Sequence, residues 1–208
     1  MPTDVADHWS EVWSDRDPED VSWFQATPQT SLELIQRYAP DRSSAILDVG
    51  GGASRLAADL LELGYLDVTV VDMAEAALER ARQPMGARAA EVTWTVAEVT
   101  QLELQRPVDL WHDRAVLHFL VQPSQQRAYA QRVLANLRPG GHAIIATFGP
   151  NGPERCSGLP VQRYDAAAIS DTLGLELIED IQETHVTPDG VEQPFVYAVL
   201  RRPASRLA

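Results

Sequence analysis

The sequence has almost no cysteine. Cys156 is the one thiol among 208 residues, which excludes an intramolecular disulfide framework and suits a reducing cytoplasm. Long apolar runs are missing too. No stretch approaches the roughly 20 residues that span a bilayer, and Met1-Pro2-Thr3-Asp4-Val5-Ala6-Asp7 carries neither the basic nor the apolar region of an export signal. A cytoplasmic protein with no membrane partner is expected. Positive charge is also short, with 17 basic residues against 30 acidic ones and a formal net charge of -13. Binding to DNA or RNA needs a basic stripe that neutralises phosphates, so no nucleic-acid partner is expected, and a polyanionic small substrate would need a local basic pocket. No metal site is expected, and internal repeats and low-complexity segments are absent.

What is present suffices for one enzyme-sized domain. Hydrophobic residues make up 45% of the chain, and doubly wound folds reach this length as a single unit. The apolar periodicity switches between about 2 and about 3.6, as in βαβ units. Strands are expected at 45–49, 68–71, 92–96, 108–112 and 142–147, with helices at 54–63, 74–82 and 124–137. Pro84 and Gly86 should stop the second of these helices, Ser124 should cap the third, and Pro139-Gly140-Gly141 should halt it. Thr27-Pro28 reads as the N-cap and first-turn pair of an earlier helix reaching Tyr38. Asp165 reads as the N-cap of a helix to Leu173, and 175–187 and 192–201 as strands joined by the turn Pro188-Asp189-Gly190. The expected organisation is an N-terminal helical lid over 1–40, a core over 41–202 and a tail over 203–208.

The most informative segment is Ile46-Leu47-Asp48-Val49-Gly50-Gly51-Gly52-Ala53-Ser54, an apolar strand ending in a carboxylate and three glycines. Glycines let the chain turn sharply and bring N–H groups against a ligand, and Asp72, at the tip of the next strand with Met73 beside it, can take a ribose hydroxyl pair. A nucleoside-containing cofactor follows. Read as G-x-G-x-x-G from Gly50, the third glycine falls on Arg55, whose bulk disfavours NAD or FAD.

Read as acidic-x-G-x-G-x-small, Asp48, Gly50, Gly52 and Ser54 resemble motif I of the class I S-adenosylmethionine (SAM) methyltransferases. That resemblance implies an α/β, Rossmann-like, doubly wound sheet of seven strands in the order 3-2-1-4-5-7-6, with strand 7 antiparallel. It implies SAM as cofactor and S-adenosylhomocysteine (SAH) as product. SAM carries a net positive charge, which an acidic protein does not oppose. Glu98 and Val99 fall where this superfamily places an acidic residue and an apolar neighbour against adenine. Asp48, Gly50, Gly51, Gly52, Asp72, Met73, Glu98 and Val99 are the implied cofactor residues.

A narrower resemblance rests on three segments. Trp111-His112-Asp113-Arg114-Ala115-Val116-Leu117-His118, Arg127-Ala128-Tyr129-Ala130 and Leu137-Arg138-Pro139-Gly140-Gly141 look like the Asp-Arg-Gly-Ala, Arg-x-x-Tyr and Pro-Gly-Gly run of thiopurine and small-thiol S-methyltransferases, with Ala115 in place of the usual glycine. His8-Trp9-Ser10-Glu11-Val12-Trp13 and Val21-Ser22-Trp23-Phe24-Gln25 are similar to their Trp-x-x-x-Trp and aromatic-x-Gln lid. The Trp-aromatic-Gln pattern is also similar to small lysine methyltransferases that act on one protein.

Residue roles follow. His112, titrating near neutrality at a strand end, is the expected base and a further cofactor contact, with Asp113 as its orienting partner. His118, at helical spacing among apolar residues, should be structural. Trp13 and Trp23 should cover the sulfonium by cation–π attraction, whereas Trp9 should staple the N-terminal helix to the core. Gln25 and Arg114 face the acceptor. The Gly/Pro-rich loop 149–164 reads as a substrate wall in which Arg155 and Arg163 could hold an anion. Cys156 in that loop is a packing residue, a reactive thiol or a contact to a soft nucleophile. The expected reaction is an in-line SN2 methyl transfer, foremost to a small-molecule thiol. A protein lysine substrate and a non-catalytic SAM-binding subunit are the alternatives. The protein should be a monomer or a dimer.

Overall fold

The run Ala45–Val49 is buried along its whole length and forms β1, as a strand covered on both faces requires. The computed structural model, which describes residues 3–15, 17 and 19–204, adds β2 (Asp67–Asp72), β3 (Thr93–Val96), β4 (Val108–Arg114), β5 (Leu137–Phe148), the short pair β6 (Arg155–Cys156) and β7 (Leu159–Pro160), β8 (Glu176–Val186) and β9 (Glu192–Arg201). Seven strands form one sheet in the order β3-β2-β1-β4-β5-β9-β8, and β9 runs antiparallel to both neighbours. With the two-residue pair β6 and β7 set aside, this is the expected order 3-2-1-4-5-7-6. The path reverses between β1 and β4, which opens a crevice at their carboxyl ends.

Among the described residues six α-helices accompany the sheet: α1 (Thr3–Asp15), α2 (Gln29–Tyr38), α3 (Leu56–Glu62), α4 (Glu75–Met85), α5 (Pro123–Asn136) and α6 (Ala166–Leu173). Tyr129, Val133, Ile169 and Leu173 of α5 and α6 pack on one face of the sheet, while Leu34, Ile35, Leu60 and Leu78 of α2, α3 and α4 pack on the other. Helix α1 lies at the crevice, with Trp13 against Ala74 and Ala77. Among the described residues no helix is long and apolar enough to cross a membrane. Residues 205–208 of the expected tail lie outside the described residues.

Several element ends differ from the sequence reading. Helix α3 starts at Leu56 instead of residue 54, because the Ser54 hydroxyl takes the Leu56 N–H at 3.1 Å and holds the preceding residues in a turn. Pro84 does not stop α4. It sits in the last turn, where only one helical bond is lost, and Gly86 at φ 55° ends the helix. Helix α5 is capped by Gln122, whose N–H donates to the Gln125 side chain at 3.2 Å, with Pro123 and not Ser124 in the first turn. Pro139-Gly140-Gly141 is part of β5, which therefore begins at Leu137. A Cβ on Gly141 would lie 2.9 Å from the carbonyls of Arg138 and Asp109, so only glycine lets the strand pass there. Helix α2 begins after Pro28, without a side-chain cap from Thr27. Asp165 caps α6 as expected, accepting the Ala168 N–H at 2.8 Å.

Strand β4 runs two residues past its expected end, which carries Asp113 and Arg114 into the sheet. Asp113 is fully buried and folds the following turn, accepting N–H bonds from Val116 at 2.8 Å and Leu117 at 3.1 Å and a bond from the Tyr129 hydroxyl. Ala115 occupies the left-handed region at φ 74°, which strains an L side chain. Ala115→Gly should therefore raise unfolding stability by about 0.5–1 kcal/mol. A loss in denaturant titration would mean that the methyl's packing outweighs the strain.

Burial pushes the Asp113 carboxyl up to about 6, against the lowering effect of its hydrogen bonds. The folded chain thus holds this proton more tightly than the unfolded one. The associated stability is complete below the ordinary aspartate value of 3.8 and is lost as pH rises through about 6. Asp113→Asn should lower overall stability but reduce the fall between those pH values. An unchanged slope in urea denaturation across the range would refute this.

Candidate cofactor and acceptor site

The glycine turn fits its place through steric necessity. Gly50 and Gly52 adopt φ 64° and 51°, and a Cβ on Gly51 would meet Val70 at 2.5 Å and the Asp48 carboxylate at 2.7 Å. The Gly50 N–H donates to the Val71 carbonyl at 2.7 Å, stapling the turn to the end of β2. Next to it, Asp72 accepts the Gly52 N–H at 3.0 Å on one carboxylate oxygen and the Ala74 N–H at 2.8 Å on the other. Each oxygen keeps a second lone pair, so a ribose diol can still be accepted. Burial raises the Asp72 carboxyl to about 6, above what its backbone hydrogen bonds alone would give.

A single cavity is lined by Asp48, Gly50, Gly51, Gly52, Asp72, Met73, Glu98 and Val99, all of the non-aromatic cofactor residues expected besides His112, which also lines it. Glu98 accepts hydrogen bonds from Thr100 and from Gln101, the latter at 2.8 Å, which fixes its carboxylate at the cavity rim. The backbone cradle, the diol acceptor and this acidic flank suit a nucleoside with a cationic tail, so the residues present fit SAM.

His112 faces the same cavity, but both of its ring nitrogens are taken. Its Nδ1 lies 2.7 Å from Asp48 Oδ1 and its Nε2 2.9 Å from Ser31 Oγ. A carboxylate can only accept, so Nδ1–H donates to Asp48, while Nε2 is bonded to the Ser31 hydroxyl. The orienting partner of His112 is therefore Asp48, directly across from it in the β1/β4 register. Asp113 is not that partner. Successive strand residues point to opposite faces, so Asp113 turns away toward Tyr129. His118 is buried with no described residue bonded to either ring nitrogen, and burial, then the charge of Arg114, lowers it to about 3.

The lid is a chain of rings. Trp13 stands edge-on to Trp23 at 5.8 Å, Trp23 to Trp9 at 5.7 Å, and Trp9 to Phe119 at 5.1 Å, the T-shaped geometry that aromatic quadrupoles favour. Trp13 also closes over the glycine turn, 3.1 Å from where a Cβ on Gly52 would be. Trp9 both staples α1 to the turn after β4 and lines the cavity.

The cavity is also lined by Trp23, Phe24, Gln25, Arg114, Phe119 and Cys156. Arg114 donates from Nε to the Tyr197 hydroxyl at 3.2 Å and from Nη1 to the Trp23 carbonyl at 3.1 Å. Gln25 donates to Glu183 at 3.4 Å, and His185 bonds the Ser22 carbonyl at 2.8 Å, so the lid segment is tied to β4 and β8. The two loop arginines do not reach the cavity. Arg155 folds back onto the Gly158 carbonyl, and Arg163 clamps Gly152 and Glu154 at 3.2 Å each. Cys156 does line it, and burial raises its thiol to about 11, so the thiol is protonated. Sequence reasoning missed Ser31 and Tyr197. Ser31 was detectable as the polar member of the otherwise apolar buried face of α2, whereas Tyr197 sits among apolar residues of β9 with no local mark.

Residues 46–141 match a family model described as a methyltransferase domain. The chain is 25% identical over 152 residues to the human eEF1A lysine and N-terminal methyltransferase, covering 68% of this chain and 21% of that protein. It is 30% identical over 130 residues to the malonyl-[acyl-carrier protein] O-methyltransferase of Paenibacillus sp. (strain JDR-2), covering 59% of this chain and 46% of that protein. It thus spans less than half the length of either relative. Among solved structures, its fold resembles the Burkholderia thailandensis 1,6-didemethyltoxoflavin-N1-methyltransferase, with TM-score 0.72 and 21% identity over 97% of this chain and 86% of that one. It also resembles the N-methyltransferase NodS of Bradyrhizobium japonicum WM9, with TM-score 0.71 and 18% identity over 94% and 99%.

The ribose role of Asp72 is directly measurable. Asp72→Ala should weaken SAH binding by about 1–3 kcal/mol in calorimetry. Because only the ionised carboxylate accepts both hydroxyls, wild-type affinity should also fall as pH drops below about 6. Affinity that is flat with pH and unchanged in the variant would refute the role. Residues 46–141 thus match a methyltransferase domain, and the chain shares its fold with solved methyltransferases.

Proposed function

We propose that this domain methylates a small-molecule nucleophile, foremost a thiol, in the cavity beneath the aromatic lid. The observation that carries the reading is the lid itself: Trp9, Trp13, Trp23 and Phe24 cover the cavity, and hydrogen bonds to Arg114, His185 and Glu183 tie the segment down. When bound, SAM would supply a methyl group already activated on a sulfonium. The protein's share is then alignment and exclusion of water. Asp48, the glycine turn, Asp72, Glu98 and Val99 hold the donor side. Trp13 and Trp23 exclude water and offer ring faces to a cation. Arg114, Gln25 and Cys156 bound the acceptor.

The thiol preference rests on the state of the expected base. His112 is engaged at both nitrogens and acts as a positioning residue that locks Asp48 and Ser31, while Asp113 faces away. An acceptor that ionises near neutrality without help suits such a site, and a thiol with a reference pKa of about 8.5 does so far more readily than a lysine near 10.4. The relatives named above are N- and O-methyltransferases, so the preference needs its own test. With SAM and a panel of alkyl thiols, aryl thiols, carboxylic acids and lysate proteins, SAH should be released with the thiols. The rise of kcat/KM with pH should follow each thiol's own pKa. A rise fixed at one pH for all acceptors would instead make His112 the base.

A second reading is favoured by the similarity to the eEF1A lysine and N-terminal methyltransferases. In that case methyl transfer would appear only on a protein band.

A further inference from the structure

Asp48 of β1, Asp72 at the end of β2 and Glu98 after β3 lie on one side of the sheet's switch point, whereas Arg114 ends β4 and reaches Tyr197 of β9 on the other; all four line the cavity, as does Arg55. The Arg114 guanidinium lies 4.6 Å from the centre of the Phe195 ring, with Nε on Tyr197 and Nη1 on the Trp23 carbonyl. Its Nη2 is buried and bonded to no described residue. No carboxylate pairs with it among the described residues. Glu183, whose charge reaches Tyr197 and His185, is bonded to Thr30 and Gln25.

Apart from Glu183, which is bonded elsewhere, the neighbouring groups offer no offsetting charge. His118 is held neutral by burial and then by Arg114, and His185 is lowered by the same two causes in the same order. Cys156 keeps its proton. A sheltered guanidinium without a counter-charge is costly, and here it stands in a chain of net charge -13. The general field repels anions, so an anion that reaches this site must be held by local pairing.

We propose that the acceptor end is a carboxylate subsite: the methyl acceptor carries a carboxylate that pairs with Arg114, on a flat apolar body lying among Trp9, Trp23, Phe24 and Phe119. Nη2 has no partner among the described residues, and a guanidinium with such a donor left over forms charge-assisted bonds to a carboxylate. The rings supply apolar walls on which a planar body packs. This inference rests on the small-molecule reading above.

Benzoate and its uncharged analogue benzamide test it without knowledge of the true acceptor. Calorimetric titrations are run on the protein with and without SAH. Wild-type protein should bind benzoate about tenfold more tightly than benzamide. Arg114→Met should make the two equal, while Arg114→Lys should keep part of the preference. Because the readout is a ratio within each variant, loosening of the lid through the lost Trp23 bond affects both compounds alike and cancels. Equal binding by the wild type, binding of neither compound, or a preference that survives Arg114→Met overturns the subsite. Absence of SAH binding would overturn the cofactor reading instead, and the titrations of the free protein would still judge Arg114.

Discussion

The site depends on one buried hydrogen-bonded chain, Asp48–His112–Ser31, which joins β1, β4 and α2 at the carboxyl edge of the sheet. Parallel pairing sets Asp48 opposite His112. The bond between them places the acid of the glycine turn, and the bond from Ser31 seats the helix that follows the lid. All three side chains are buried, so removing any one would leave a polar partner without water or protein to satisfy it. The chain is thus a constraint on shape more than a source of free reactivity.

Around that tie, the cavity separates its duties by charge. The carboxylates of Asp48, Asp72 and Glu98 and the guanidinium of Arg114 line the same cavity, the acids on the β1–β3 side and Arg114 on the β4 side next to β9. The lid couples the two sides physically. Trp13 touches the glycine turn, its neighbour Trp23 gives its carbonyl to Arg114, and Trp9 reaches the turn after β4 through Phe119. A shift in the lid would therefore be felt by both ligands.

The sequence by itself determined most strands, the glycine turn and Asp72, because these follow from local rules: apolar runs bounded by turns, φ values open to glycine, and a carboxylate at a strand tip; the sheet order came only with the family resemblance. The same rules found the Asp165 cap. They misplaced the ends of α3, α4, α5, β4 and β5, where a single hydroxyl, a proline in a last turn or a glycine under tight packing decided the outcome. Long-range partnership was not legible at all. Asp113 is next to His112 in sequence yet on the opposite face of β4, and Asp48, 64 residues away, is its partner. The arginines of the loop were as plausible as Arg114 for holding an anion. Only the tertiary structure turned Arg155 and Arg163 onto their own loop and brought Arg114 together with Tyr197, Phe195 and Trp23. The reason is physical. Strand and turn formation depend on neighbours in sequence, whereas the partners of a charged side chain are set by which faces the sheet and lid bring together.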